Sequence, residues 1–147
     1  MDEWILLGIL AALSFGLSAI AAKISTSKDY LGMPATELAA LTLIGVAVGF
    51  LAFIIFSGGL HKTVQEPKSM FIGVSVGLFW ALGQVILYYA LIKGADIARM
   101  APIYNLNTLV VVILAVFILK EVPDKGVSIR IIFGAILITA GAVLVSI

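Results

Sequence analysis

Trp80, Gln84 and Tyr88 follow one another at every fourth position, so on a helix they form a stripe along one face. An indole, a carboxamide and a phenol so aligned can stack on a small polar molecule and hydrogen-bond to it. None of the three changes charge near neutrality, so the chemistry is recognition and not proton transfer. The same stripe also arises if Gln84 bonds a neighbouring helix and the rings pack between helices. Downstream, Asn105 and Thr108 share a helical face and Asn107 points elsewhere, so at least one of the asparagines is expected as interhelical glue. Ser14 and Ser18 lie one turn apart near the start of the chain, as pocket hydroxyls or as packing residues. Trp80, Gln84, Tyr88, Asn105, Thr108, Ser14 and Ser18 are the substrate-binding candidates.

What is missing narrows the chemistry further. Zero cysteines remove thiol nucleophiles, disulfides and Fe–S ligation, and one histidine cannot build a histidine metal site alone, so no metal and no cofactor is expected. There is no phosphate-binding G-x-x-x-x-G-K, and no pair of carboxylates or nucleophile with its base at one depth, so an enzyme is not expected. A formal net charge of +1 gives no basic footprint for nucleic acid.

The elements that position these residues follow from the charges, nine basic and eight acidic in 147 residues of 63% hydrophobic composition. They leave uncharged runs at residues 4–22, 38–61, 69–92, 100–119 and 131–147. An apolar helix of ~20 residues at ~1.5 Å per residue crosses a hydrocarbon layer of ~30 Å, so each run is long enough, the last barely. The spacing predicts an all-α integral membrane protein with five transmembrane helices, at about 4–24, 35–57, 69–92, 97–119 and 130–147. Ala19-Ile20-Ala21 resembles a signal-peptidase site, but Asp2 and Glu3 stand where a signal sequence carries basic residues, so the first run is read as a span. Trp4 is expected at an interface, Gly58-Gly59 at the end of the second helix, and a kink at Pro102, which removes a backbone donor inside the fourth. Loops at 25–34, 61–68 and 120–129, the last with Pro123, and a tight hairpin at 93–96 join the helices.

Five spans put the termini on opposite sides, and the basic residues divide almost evenly. Lys62, Lys68, Lys120, Lys125 and Arg130 share the N-terminal side, against Lys23, Lys28, Lys93 and Arg99 on the other. So near a tie gives little orientational instruction. One fixed orientation, insertion both ways, and pairing with a sister subunit all remain open. Small residues recur at Ser69, Gly73, Gly77 and Ala81 and at Gly45 and Gly49, where packing within the protomer is expected. Gly134 and Gly141, with Ala135 and Ala142 beside them, make a smooth face on the last helix and a candidate dimer contact.

From Trp80 onward, the stretch YYALIKGADIARMAPIYNLNTLVVVILAVFILKEV followed by IIFGAILITAGAVLVSI resembles the second half of an EamA-type domain of the drug/metabolite transporter superfamily. A Tyr–Ala–Leu end to the third helix, Leu119-Lys120-Glu121 closing the fourth and the seven-residue glycine spacing of the last carry the resemblance. It is sharpest over the last 70 or so residues and extends loosely over the whole chain as one domain, 1–147. The usual members hold two such modules in inverted orientation, ten helices around a central path for small metabolites or amino acids. The resemblance therefore implies half of a ten-helix inverted-repeat transporter, working by alternating access on small polar or zwitterionic metabolites in a cell membrane, the inner membrane for a prokaryote. It further implies a partner, an antiparallel second copy by preference or a sister half-transporter; the alternative is a non-transporting membrane subunit. The last helix also resembles the dimerising helix of the small multidrug resistance family, whose proton-coupling glutamate has no counterpart within the first span here. Glu121 matches a family glutamate at the end of the fourth helix and is read, with Pro102, as structural.

Overall fold

The computed structural model describes residues 3–60, 66–121 and 125–146, with Trp4, Lys125 and Ser146 as backbone alone. The interfacial ring expected of Trp4, residues 61–65 of the polar loop and Pro123 lie outside the described residues. Every regular element among the described residues is helical: α1 (Glu3–Thr26), α2 (Ala35–Phe56), α3 (Pro67–Ile92), α4 (Ile97–Tyr104), α5 (Asn107–Leu114), a π-helical turn (Ala115–Leu119) and α6 (Lys125–Ser146). Five helical stretches are long and apolar enough to cross a membrane, at Ile5–Thr26, Ala35–Phe56, Pro67–Ile92, Ile97–Leu119 and Gly126–Val145. The five-span expectation holds, and two of its details change.

The last helix begins at Lys125, not near Arg130. Charged residues end an apolar run but not a helix: Lys125 and Arg130 continue the backbone ladder while their charges belong outside the hydrocarbon. The fourth span, expected as one helix with a kink at Pro102, is three segments: α4 stops two residues after the proline, α5 restarts at Asn107, and the π turn closes the span. After the π turn, Lys120 adopts the left-handed conformation at φ 56°, and the amides of Lys120 and Glu121 both donate to the carbonyl of Ala115. That closure satisfies a helix-end acceptor with a residue that has a Cβ where glycine is usual.

The chain forms two compact units, Met1–Gly94 and Ala95–Ile147. In the first, α1, α2 and α3 contact one another pairwise, and the buried positions gather at one end of the helices. Ala19, Ala22 and Thr26 come from the C-terminal half of α1, Leu38 from the first turn of α2, and Tyr88 and Leu91 from the last turns of α3. The alanines allow close approach there, and the Thr26 hydroxyl is satisfied by donating to the carbonyl of Ala22 at 2.8 Å. The loop at that end is tied by its own backbone: Gly32 donates to Ser27 and Met33 to Ser25, with Gly32 at φ 61°. At the other end of α2, Gly58 and Gly59 both take φ 89° and terminate the helix as their sequence suggests. Gly45, Gly49, Gly73, Gly77 and Ala81 are exposed, and a Cβ built on any of the four glycines meets nothing within 4 Å. Their expected packing inside the protomer is not found in this unit.

The second unit packs α4 and α5 against α6. The Asp96 carboxylate caps α4 by accepting from the amide of Ala98 at 3.1 Å. Arg99 Nε donates to the carbonyl of Val145 at 3.1 Å, so the first turn of α4 supplies a donor that the last turn of α6 needs. Phe56 (90% exposed) and Phe117 (77%) show what the remaining surface is made of: large apolar side chains whose solvent is lipid.

Candidate functional site

In the first unit the α3 stripe is graded in depth and in burial. Trp80 lies at the middle of α3 and is exposed, Gln84 one turn on is half-buried, and Tyr88 is buried at 4% exposure. Eight residues put ~12 Å of helix axis between Trp80 and Tyr88. The Tyr88 hydroxyl and the Thr42 hydroxyl of α2 are 2.9 Å apart and hydrogen-bonded, so the phenol's polar atom is engaged within the unit. Trp80 and Gln84 keep their polar edges for other partners. On α1, Ser14 and Ser18 are both exposed, and Ser14 donates to the carbonyl of Leu10 at 2.9 Å, spending its proton on its own helix.

In the second unit the polar residues gather at the break in the fourth span. Pro102 has no amide to offer the carbonyl of Ala98, and two residues beyond Tyr104 the ladder changes register. The amide of Leu106 turns to Ile103 at 3.1 Å, that of Thr108 to Asn105 at 3.1 Å, and that of Leu109 to Leu106 at 2.9 Å. The first of these three-residue steps leaves the carbonyl of Pro102 without its helical partner, the amide of Leu106. Asn105 caps α4 and is exposed, as are Asn107 and Thr108. The Thr108 hydroxyl donates to the Asn107 side-chain oxygen at 3.4 Å, so the two neighbouring side chains meet at the start of α5. With Ile97 at the start of the span, Asn105 sits ~12 Å along it, near the middle of a ~30 Å hydrocarbon layer.

Interrupted helices at that depth are tolerated only where protein buries them or water reaches them, because lipid cannot satisfy a free carbonyl. By contrast, the groove between α5 and α6, lined by residues such as Leu109, Val112, Ile136 and Thr139, is apolar. Its hydroxyl, on Thr139, donates to Ala135. The exposed side chains of Asn105, Asn107 and Thr108 lie at the break and not in this groove. On α6, Gly134 and Gly141 are half-buried, Ala142 is buried at 3% exposure, and a Cβ on either glycine meets nothing within 4 Å. Glu121 is exposed, and its backbone amide closes the π turn on Ala115. Among the described residues no group of three or more His, Cys, Asp and Glu is placed to hold a metal ion.

The described residues hold five helices long and apolar enough to cross a membrane, and a model of the EamA-like transporter family matches residues 2–147. The chain belongs to the EamA-like transporter family. A relative from Methanocaldococcus jannaschii, described as uncharacterised, is 26% identical over all 147 residues and is covered over 98% of its own length. No solved structure matches the chain. As a member of the EamA-like transporter family it is a membrane protein with a transporter-like role.

Three features of the site were not reached from the residues alone. Thr42 is the one hydroxyl of the apolar run 38–61 that falls inside α2, Ser57 lying just past its end, and that isolation is the signal that marks it. Arg99 stands where a basic residue at a span edge reads as an interfacial charge; its bond to Val145 has no sequence signature. The break falls beyond Pro102, at the asparagine pair, whose poor helix propensity and short side chains favour a turn there.

Proposed function

We propose that the chain is a secondary transporter of small polar or zwitterionic metabolites, working by alternating access as an antiparallel pair of five-helix modules. The break between α4 and α5 carries this reading. A membrane helix interrupted near mid-depth, with the Pro102 carbonyl released and Asn105 and Thr108 exposed at the break, is how transporters present polar atoms to a solute within the bilayer. Trp80 and Gln84 on α3 offer a second polar surface, in the first unit, suited to stacking and hydrogen bonding. Tyr88 sets the position of that face through Thr42, and Ser14 and Ser18 are secondary contacts. Gly134 and Gly141 are the proposed contact with the second copy, where the open space above each glycine leaves room for a close helix. The proposed location is the cell membrane.

The test is flux through purified protein in proteoliposomes, using a panel of labelled amino acids and other small polar metabolites. The wild type is expected to move at least one, and Gln84→Ala and Asn105→Ala each to slow it tenfold or more while remaining folded. Both variants at the wild-type rate would remove the site. No flux for any solute would favour a non-transporting subunit.

A further inference from the structure

The helical faces that pack in the first unit run on, unpacked, along the same helices. Thr42 and Tyr88 meet at 2.9 Å, with Leu38 buried a turn away on α2 and Leu91 buried beyond Tyr88 on α3. As successive spans α2 and α3 run antiparallel, so residues that oppose each other beyond this bond ascend on α2 and descend on α3. Gly49 follows Thr42 by seven residues, and Ala81 precedes Tyr88 by seven. Each is two turns, ~10 Å of axis, from the bond and on the face that carries it. Yet Gly49 and Ala81 are exposed, and a Cβ built on Gly49 meets nothing within 4 Å. The same openness holds at Gly45 on α2 and at Gly73 and Gly77, which continue the Tyr88 face of α3. The two helices touch at the Thr42–Tyr88 end and diverge toward Phe56 and Pro67.

Glycine and alanine on facing helices let the backbones approach closely, and these open faces are continuous with an α2–α3 contact that already exists. Small residues also stand opposite each other at equal steps from the bond, so each helix supplies the surface that the other lacks. We propose that α2 and α3 close on each other, the Thr42–Tyr88 bond being the fixed point that sets their register, and bring Gly49 against Ala81. Gln84, half-buried one turn from Tyr88, lies between the fixed point and the closing contact, so closure shuts over its carboxamide. The partner of the open face is thus the neighbouring helix of the same chain and not a second copy. As a gate over a solute the closure rests on the transport reading of Trp80 and Gln84; as a movement of two helices it does not.

Disulfide trapping in the full chain tests the closure. The sequence has no cysteine, so Gly49→Cys combined with Ala81→Cys gives one pair of thiols, and the space above Gly49 admits the new side chain. A disulfide needs its two Cβ atoms about 4 Å apart, which the open form does not provide at Gly49. The variant is oxidised in its membrane with copper phenanthroline, and the remaining thiols are counted by the gel shift of a polyethylene-glycol maleimide. The expected product is a monomer that takes up no reagent. Val48→Cys with Leu82→Cys, each turned ~100° from the facing positions, is expected to stay reduced. Gel filtration of the unoxidised variants reports whether they are folded. A folded Gly49→Cys/Ala81→Cys variant that stays reduced overturns the proposal, as does equal trapping of the off-face pair. A disulfide linking two chains overturns it too and assigns the face to a second copy. In proteoliposomes, oxidation is expected to stop the flux of the reduced variant and a reductant to restore it. Unchanged flux through the trapped protein overturns the closure over Gln84. Absence of flux from the wild type would remove the transport reading, and the disulfide would still decide whether the helices close.

Discussion

Tyr88 shows how one residue's role changes when its partner is known. As a member of the α3 stripe it is a recognition phenol; with its hydroxyl 2.9 Å from Thr42 and its ring buried, it is the residue that fixes α3 against α2. A side-chain hydrogen bond between membrane helices averages about 0.6 kcal/mol. Tyr88→Phe and Thr42→Val are each expected to lower stability by about that amount, and the double variant by no more than either alone, because one deletion already removes the bond. Unfolding in mixed micelles measures this, and additive losses would show that the two hydroxyls act separately. The stripe itself was legible at the i, i+4, i+8 spacing. Thr42 was not, because the contact joins residues 46 apart in sequence and depends on how two helices meet.

At the scale of elements, the spans were legible and their interruptions were not. Apolar run length determines where a helix can cross a bilayer, so five spans follow from the positions of 17 charges. Where a helix breaks depends on which acceptor each amide chooses, a competition of small energies. Pro102 announces the break, but Leu106 and Thr108 make it by turning to nearer carbonyls. The close of the span yields a direct prediction. Lys120 occupies a left-handed conformation at φ 56°, at a cost of about 1 kcal/mol for a residue with a Cβ. Lys120→Gly is therefore expected to raise stability by up to that amount in chemical unfolding, after the loss from a more flexible unfolded chain. A destabilised Lys120→Gly would mean that the lysine side chain holds the turn. The start of α6 teaches the converse lesson, since Lys125 and Arg130 are helical although the apolar run begins only after them.

For the whole molecule the decisive quantity is the distribution of charge between the two sides of the bilayer. Five basic residues on the N-terminal side against four on the other give neither orientation a clear advantage. A chain inserted both ways would supply from one sequence the two inverted halves on which the proposed alternating access rests. The α4–α5 break and the α3 stripe would then each occur twice, in opposite senses. The measurement that tests this most directly fuses the C-terminus, in separate strains, to a reporter active only in the cytoplasm and to one active only outside it. Comparable signal from both is the expected result, and signal from one reporter alone would contradict the antiparallel pair.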